Sequence, residues 1–216
     1  MQRRAIILSP AVCLQAALVS PFRADAADAA HASTWPRKPL RVVVGFPAGS
    51  TPDVVARTLA DACAPTLGQA VIVDNRPGAS GHLAAALVAQ AQDDHTLGVM
   101  INGNLTTAKV LQPALPFDPA RDFSFLSLLT TAPLALVTQA GKPDGAAFLL
   151  AAASSGDRWN YGSVGIGSMA HLGMELIKSR LPGFRAVHIP FTGNPAVVTA
   201  LLAGQIEVAL VPPGLM

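Results

Sequence analysis

From Trp35 onward, short β-rich apolar runs alternate with longer stretches whose apolar positions recur at helical spacing. Residues 40–46 (Leu-Arg-Val-Val-Val-Gly-Phe) predict a strand. Thr51 as N-cap, Pro52 at the first helical position and Asp53 in the first turn predict a helix start. That helix carries Val55, Leu59, Ala62 and Cys63 on one face. Residues 70–74 predict a second strand, the turn Gly78-Ala79-Ser80-Gly81 a lead into a helix over 83–92, and residues 96–101 a third strand. Residues 125–129 and 134–138 read as buried strands near a lobe boundary, with 140–143 as the crossing segment. Beyond it come a helix over 146–153, a strand over 158–163, a helix marked by Met169, Leu172 and Leu176, and a strand over 185–191. Asn194-Pro195 then opens a helix over 196–203 that Gly204 closes, and a last strand spans 205–211. Repeated strand–helix order predicts a mostly parallel sheet covered by helices, hence an α/β fold in two lobes, 35–139 and 140–216.

Composition narrows the function classes. Of the 216 residues, 51% are apolar and 13% charged, enough for a core and against disorder. Net charge is +2, with no basic run beyond Arg3-Arg4, one tyrosine and two tryptophans. Nothing marks a nucleic-acid surface. Residues 1–30 read as an export signal: Arg3 and Arg4, then an apolar stretch over 5–19, then Ala24-Asp25-Ala26 or Ala30-His31-Ala32 as a cleavage site. The stretch is short for a membrane span, and Pro10 and Gln15 interrupt it. Cys13 would leave with the signal, so Cys63 has no partner for an intrachain disulfide and reads as a buried, inert thiol.

Two glycine-rich turns carry the candidate chemistry. Phe46-Pro47-Ala48-Gly49-Ser50-Thr51 and Gly162-Ser163-Val164-Gly165-Ile166-Gly167-Ser168 each join a strand to a helix. Helix starts offer unpaired N–H groups and a dipole worth on the order of 0.3–2 kcal/mol to an anion. Glycine lets backbone approach a ligand closely. Two such turns, one from each lobe, predict a grip on a small carboxylate. The same residues also admit simple connector roles.

At these residues the chain resembles a family. Residues 35–49 (Trp-Pro-Arg-Lys-Pro-Leu-Arg-Val-Val-Val-Gly-Phe-Pro-Ala-Gly) resemble the opening of the Bug-type substrate-binding proteins of tripartite tricarboxylate transporters. Further matches follow in order. They are Leu67-Gly68-Gln69, residues 73–79 (Val-Asp-Asn-Arg-Pro-Gly-Ala), residues 115–119 (Leu-Pro-Phe-Asp-Pro) with Arg121-Asp122-Phe123, and Asn160-Tyr161-Gly162-Ser163. His171-Leu172 with Glu175-Leu176, residues 187–191 (Val-His-Ile-Pro-Phe) and residues 201–206 (Leu-Leu-Ala-Gly-Gln-Ile) complete the series. The resemblance implies a non-enzymatic periplasmic receptor of the two-lobed, type II periplasmic-binding-protein kind, monomeric, with no cofactor and no metal. It implies a small carboxylate ligand and a membrane permease pair as partners. The site residues it implies are Phe46, Ala48, Gly49, Ser50, Thr51 and Asp53 from the first turn, and Ser163, Gly165, Gly167 and Ser168 from the second. Asn102, Asn104 and Thr192-Gly193 follow as further candidates.

The chain departs from the family's pattern. Gly49-Ser50-Thr51-Pro52 replaces a Gly-Gly-Gly or Gly-Gly-Ser turn, and Pro52 removes an N–H. Phe191-Thr192-Gly193 stands for Tyr-Lys-Gly and loses a positive charge. Family members also run on well past Met216, so the second lobe is expected to be incomplete, with a non-functional gene fragment as one alternative. Another is an NAD-binding oxidoreductase using Gly165-x-Gly167-x-x-Ala170, although the acid expected about 20 residues on is replaced by Arg185 and Ala186. No G-x-S-x-G elbow is present, because Gly78-Ala79-Ser80-Gly81-His82 fails at its last position. His171 and Glu175 share a helix face at i, i+4, a spacing open to metal but better read as a packed helix start. Asp93-Asp94 reads as a solvated loop.

Overall fold

The computed structural model describes residues 35–215; the expected export signal lies outside the described residues. Seven strands are described, β1 (Leu40–Val44), β2 (Val71–Asn75), β3 (Thr96–Val99), β4 (Ala135–Thr138), β5 (Asn160–Ser163), β6 (Val187–Pro190) and β7 (Val208–Val211). Seven helices lie between them: α1 (Thr51–Leu67), α2 (His82–Ala89), α3 (Asn102–Leu105), α4 (Ala108–Leu111), α5 (Gly145–Ser155), α6 (Met169–Arg180) and α7 (Asn194–Leu202).

The strands form two sheets. The first has the order β2-β1-β3 and is wholly parallel. β1 sits centrally, which explains its unbroken valine run: both its faces are covered. Val42, Val44 and Phe46 pack with Ala56 of α1 and Val99 of β3. The second sheet has the order β4-β7-β5-β6. Along β7 the side chains alternate between two cores. Val208 joins Phe148 and Ala152 of α5, Tyr161 of β5 and Met174 of α6, while Ala209 and Val211 join Val197, Ala200 and Leu201 of α7. Helices thus cover both faces of this sheet.

Three expectations change. β4 runs antiparallel to β7, so the second sheet is mixed. Its residues precede position 140, yet they pair in the C-terminal sheet. Residues 125–129 form no strand; Phe125, Leu126 and Leu128 are 66%, 79% and 78% exposed. An apolar run becomes a strand only where a neighbour takes its backbone groups, and no described segment does so here. On α1 the buried stripe is Asp53, Ala56 and Ala60, Ala62 is exposed, and Cys63 is half-buried.

The halves meet along the strand-to-helix turns. Val164 packs against the β1 core and the α7 core alike. Thr107 Oγ1 donates to the Gly167 carbonyl at 2.8 Å, and a Cβ on Gly103 would lie 2.8 Å from that oxygen.

Candidate functional site

The first turn leaves β1 at buried Phe46 and enters α1 at its N-cap, Ser50. Ser50 is buried, and its hydroxyl donates to the Pro47 carbonyl at 2.6 Å, so it braces the turn rather than capping α1. Gly49 needs its φ of +79°, not space, since nothing lies within 4 Å of a built Cβ. Asp53, only 2% exposed, is the fastener. Its carboxylate accepts the Gly49 N–H at 2.9 Å, the Asn75 Nδ2 at 2.8 Å and the Arg57 guanidinium at 2.9 Å. Asn75 Nδ2 also donates to the Phe46 carbonyl at 2.9 Å, tying the turn to the end of β2. Burial alone would raise the Asp53 pKa. Hydrogen bonds from Arg57, the Gly49 amide and Asn75, with the Arg57 charge, outweigh it and hold the carboxyl below its ordinary value.

The second turn is fastened differently. Ser163 Oγ, buried at the end of β5, accepts the Gly165 N–H at 3.1 Å and pairs with His188 Nε2 of β6 at 2.7 Å. The Gly167 N–H donates to His171 Nδ1 at 3.3 Å. Ser168 caps α6 by accepting the His171 N–H at 3.3 Å. Tyr161, His188 and His171 form a ring cluster: Tyr161 stacks on His188 with centroids 4.9 Å apart, and His171 lies tilted against His188 at 4.6 Å. The Tyr161 hydroxyl donates to Glu175 at 2.6 Å, and Lys178 Nζ donates to the same oxygen at 2.8 Å. Burial, then the neighbouring His171 charge, pushes His188 down to about 4. Burial also lowers His171, against the pull of Glu175. Burial, followed by Glu175, drives the Tyr161 hydroxyl well above its usual range. Glu175 and His171 therefore meet ring, lysine and backbone partners, and no group of three potential metal ligands occurs among the described residues.

A cavity of about 260 Å³ opens between residues 78–81 on one side and Gly165 with residues 190–192 on the other. A second, of about 20 Å³, lies between Phe46, Ser50 and Pro52 of the first turn and Val164 of the second, closed by Ile101 and Asn194. Of the residues singled out from sequence, Gly165 and Thr192 line the larger cavity, and Phe46 and Ser50 the smaller. Ala48, Gly49, Thr51, Asp53, Asn102, Asn104, Ser163, Gly167, Ser168 and Gly193 line neither. Asp53, Ser163 and Ser168 instead hold the turns in shape. Asn102 is exposed and accepts the N–H of Gly103. Asn104 Nδ2 donates to the Ser80 carbonyl at 2.8 Å, while its buried Oδ1 has no partner among the described residues.

The wall that the sequence reading did not assign to ligand is the turn 78–81. Its four residues all have positive φ: Gly78 +142°, Ala79 +47°, Ser80 +57° and Gly81 +86°. For Ala79 and Ser80 this costs on the order of 1–2 kcal/mol each. Such strain beside a cavity points to use. Packing is tight on both sides. A Cβ on Gly45 would fall 2.7 Å from the Gly81 Cα, and one on Gly165 would fall 1.9 Å from Ser80 Oγ. The paired glycines around Ala79-Ser80, ahead of a helix, were the available signal.

Comparison with known proteins fits this geometry. The family model described as "Tripartite tricarboxylate transporter family receptor" matches residues 55–213. A UPF0065 protein of Bordetella pertussis is 36% identical over 189 residues, covering 86% of this chain and 58% of that protein. Protein BugT of the same organism is 34% identical, covering 88% and 60%. Among solved structures, MatC from Rhodopseudomonas palustris with bound malate superposes with a TM-score of 0.76 at 34% identity, covering 82% of this chain and 61% of that one. Rpa4515 of R. palustris with adipate gives 0.79 at 28% identity, covering 82% and 60%. The periplasmic binding protein BugD gives 0.76 at 28% identity, with the same coverage. The chain therefore spans about 60% of the length of these relatives. None of these findings supports the dinucleotide reading of Gly165 to Ala170. With its two α/β sheets, one parallel and one mixed, its glycine-rich turns and the family's motifs over 55–213, the chain belongs to the tripartite tricarboxylate transporter receptor family.

Proposed function

We propose that the chain is a non-enzymatic, periplasmic receptor that captures a small carboxylate and presents it to the membrane permease of a tripartite tricarboxylate transporter. Lobes over about 35–139 and 140–216 would close on the ligand, with β4 carried by the second sheet. The observation that carries this reading is the 260 Å³ cavity between the turn 78–81 and Gly165. It is smaller than the roughly 300–1,000 Å³ of sites for drug-sized ligands, so it suits a compact molecule. No charged side chain lines it. An anion there would be held by backbone N–H groups and by the hydroxyls of Ser80 and Thr192, as is usual where small residues let backbone approach. The relatives bound to malate and adipate make dicarboxylates the first ligands to try.

Thermal unfolding of the full chain with a panel of malate, adipate and citrate tests the proposal. A ligand at about 100-fold its Kd should stabilise the fold by roughly 2.7 kcal/mol. A cooperative transition that no carboxylate raises would sink the receptor reading. A broad, non-cooperative melt would instead favour the gene-fragment alternative.

A further inference from the structure

We infer that His171 and His188 form a neutral imidazole pair that positions the second turn for its anion, so that protonating His171 loosens the turn and releases the ligand. The inference rests on the carboxylate-receptor reading for its ligand half, but its geometric half stands alone.

The geometry is specific. His171 Nδ1 accepts the Gly167 N–H, and the His171 N–H is taken by Ser168 Oγ. One residue therefore fixes both the last glycine of the turn and the cap of α6. His188 Nε2 pairs with Ser163 Oγ, which in turn accepts the Gly165 N–H. Gly165 is the residue of this turn that lines the cavity. His188 thus connects to the cavity wall through Ser163 and Gly165, and His171 lies beside it, with centroids 4.6 Å apart.

A neutral imidazole has one acceptor nitrogen; an imidazolium has none. Protonated His171 would direct N–H against the N–H of Gly167, and ring or turn must move. The ionisable groups facing the pair are Tyr161 of β5 and Glu175 and Lys178 of α6. Glu175 is already shared by the Tyr161 hydroxyl and Lys178, so it is poorly placed to recruit an imidazolium. Both rings also resist protonation in the fold, as a pair kept neutral for hydrogen bonding should. An added positive charge would attract an anion through space. Movement of the turn displaces Gly165, which lines the cavity, whereas the attraction is screened by solvent, so the structural effect is expected to win.

Nuclear magnetic resonance of the isotope-labelled full chain reads the geometric half without any ligand. Between about pH 7.5 and 5, the Gly167 amide should shift with the same midpoint as the His171 ring, below the ordinary value near 6.5. A Gly167 amide that stays still while His171 titrates would overturn the inference. Calorimetry with malate and adipate reads the other half. His171→Asn offers an acceptor oxygen at every pH and controls for titration of the ligand itself. On acidification the natural chain should lose about tenfold more affinity than His171→Asn, a difference near 1.4 kcal/mol. Equal losses in the two proteins, or tighter binding by the natural chain in acid, would overturn it. His171→Ala should bind about tenfold more weakly than His171→Asn at pH 7.5, and equal affinity would also count against it. If Gly167 tracks His171 but neither carboxylate binds at any pH, the receptor reading falls while the role of the pair in setting the turn remains.

Discussion

The turn after β1 is fastened by a carboxylate, and the turn after β5 by imidazoles. Each must hold a glycine at positive φ. At the first turn Asp53 takes the Gly49 N–H and draws in Arg57 and Asn75, so a charged network spans α1 and β2. At the second, Ser163 takes the N–H of Gly165 and His171 that of Gly167, with His188 paired to the Ser163 hydroxyl, all without any formal charge. Gly49 is open to solvent, whereas Gly165 is buried against Ser80. A charged clasp suits a turn at the surface. A neutral one suits a turn whose Gly165 lines a small cavity without charged side chains, where a fixed carboxylate would repel the anion proposed as guest.

The widest gap between the two should appear on adding one methyl group to each. In Gly165→Ala the new Cβ would sit 1.9 Å from Ser80 Oγ at a φ of +121°, so the turns must part. We expect a loss of about 3 kcal/mol in stability and no measurable binding of malate or adipate. Gly49→Ala meets nothing within 4 Å and carries only the left-handed penalty, about 1 kcal/mol. Denaturant melts of both variants check this. Equal losses would mean that Gly165 is not pressed against the opposite wall.

Removing the first clasp comes next. Asp53→Ala leaves the Gly49 N–H without its acceptor and Asn75 Nδ2 with only the Phe46 carbonyl, and should cost about 2 kcal/mol. Arg57 is half exposed, so its share is screened. The folded carboxyl titrates below 3.8. Its contribution is therefore complete above that value and disappears as pH falls through the folded pKa. Acid melts of Asp53→Asn should lack this last step.

The second clasp should fail in a different pH range. The unfolded ring of His188 takes a proton near 6.5, the folded ring only at about 4. Between those values acid favours the unfolded chain. Stability is complete above 6.5, declines as pH falls toward 4, and levels off below. For this half-buried ring the decline should be on the order of 1–2 kcal/mol after solvent screening. His188→Gln keeps a partner for Ser163 Oγ and should flatten the decline, as read from melting midpoints across the window.

Much of this was legible in the chain. Most strands announce themselves by β-branched runs, and Pro52 and Pro195 mark the starts of α1 and α7. Both glycine turns fall between a strand and a helix, as their spacing suggests. Pairing was less legible. Nothing local in residues 135–138 says that they run antiparallel to β7, because that depends on a partner some 70 residues away. Residues 125–129 show the converse, an apolar run without a strand. At the site, Asp53 and Ser163 are visible as polar residues beside glycine. Whether such a group faces a ligand or its own turn is a matter of ångströms that spacing does not encode. The turn 78–81 escaped because Ala79 and Ser80 give no sign of their left-handed backbone.

That turn offers the finest test of why the two sides differ. Ser80 holds a φ of +57° beside Gly165, and its carbonyl accepts from Asn104. In Ser80→Gly the left-handed penalty of about 1–2 kcal/mol is relieved. Glycine's greater freedom in the unfolded chain takes back roughly 0.5–1 kcal/mol. The balance is a gain of about 0.5 kcal/mol, the smallest change expected here. The hydroxyl lining the cavity is lost with it, and a single hydrogen bond to an anion is worth about 1.5–3 kcal/mol. The variant should therefore melt slightly higher and bind malate or adipate at least tenfold more weakly. Strain kept at this position for the ligand's sake predicts that opposition. A variant that gains stability with unchanged affinity would mean that the Ser80 hydroxyl contributes nothing to binding.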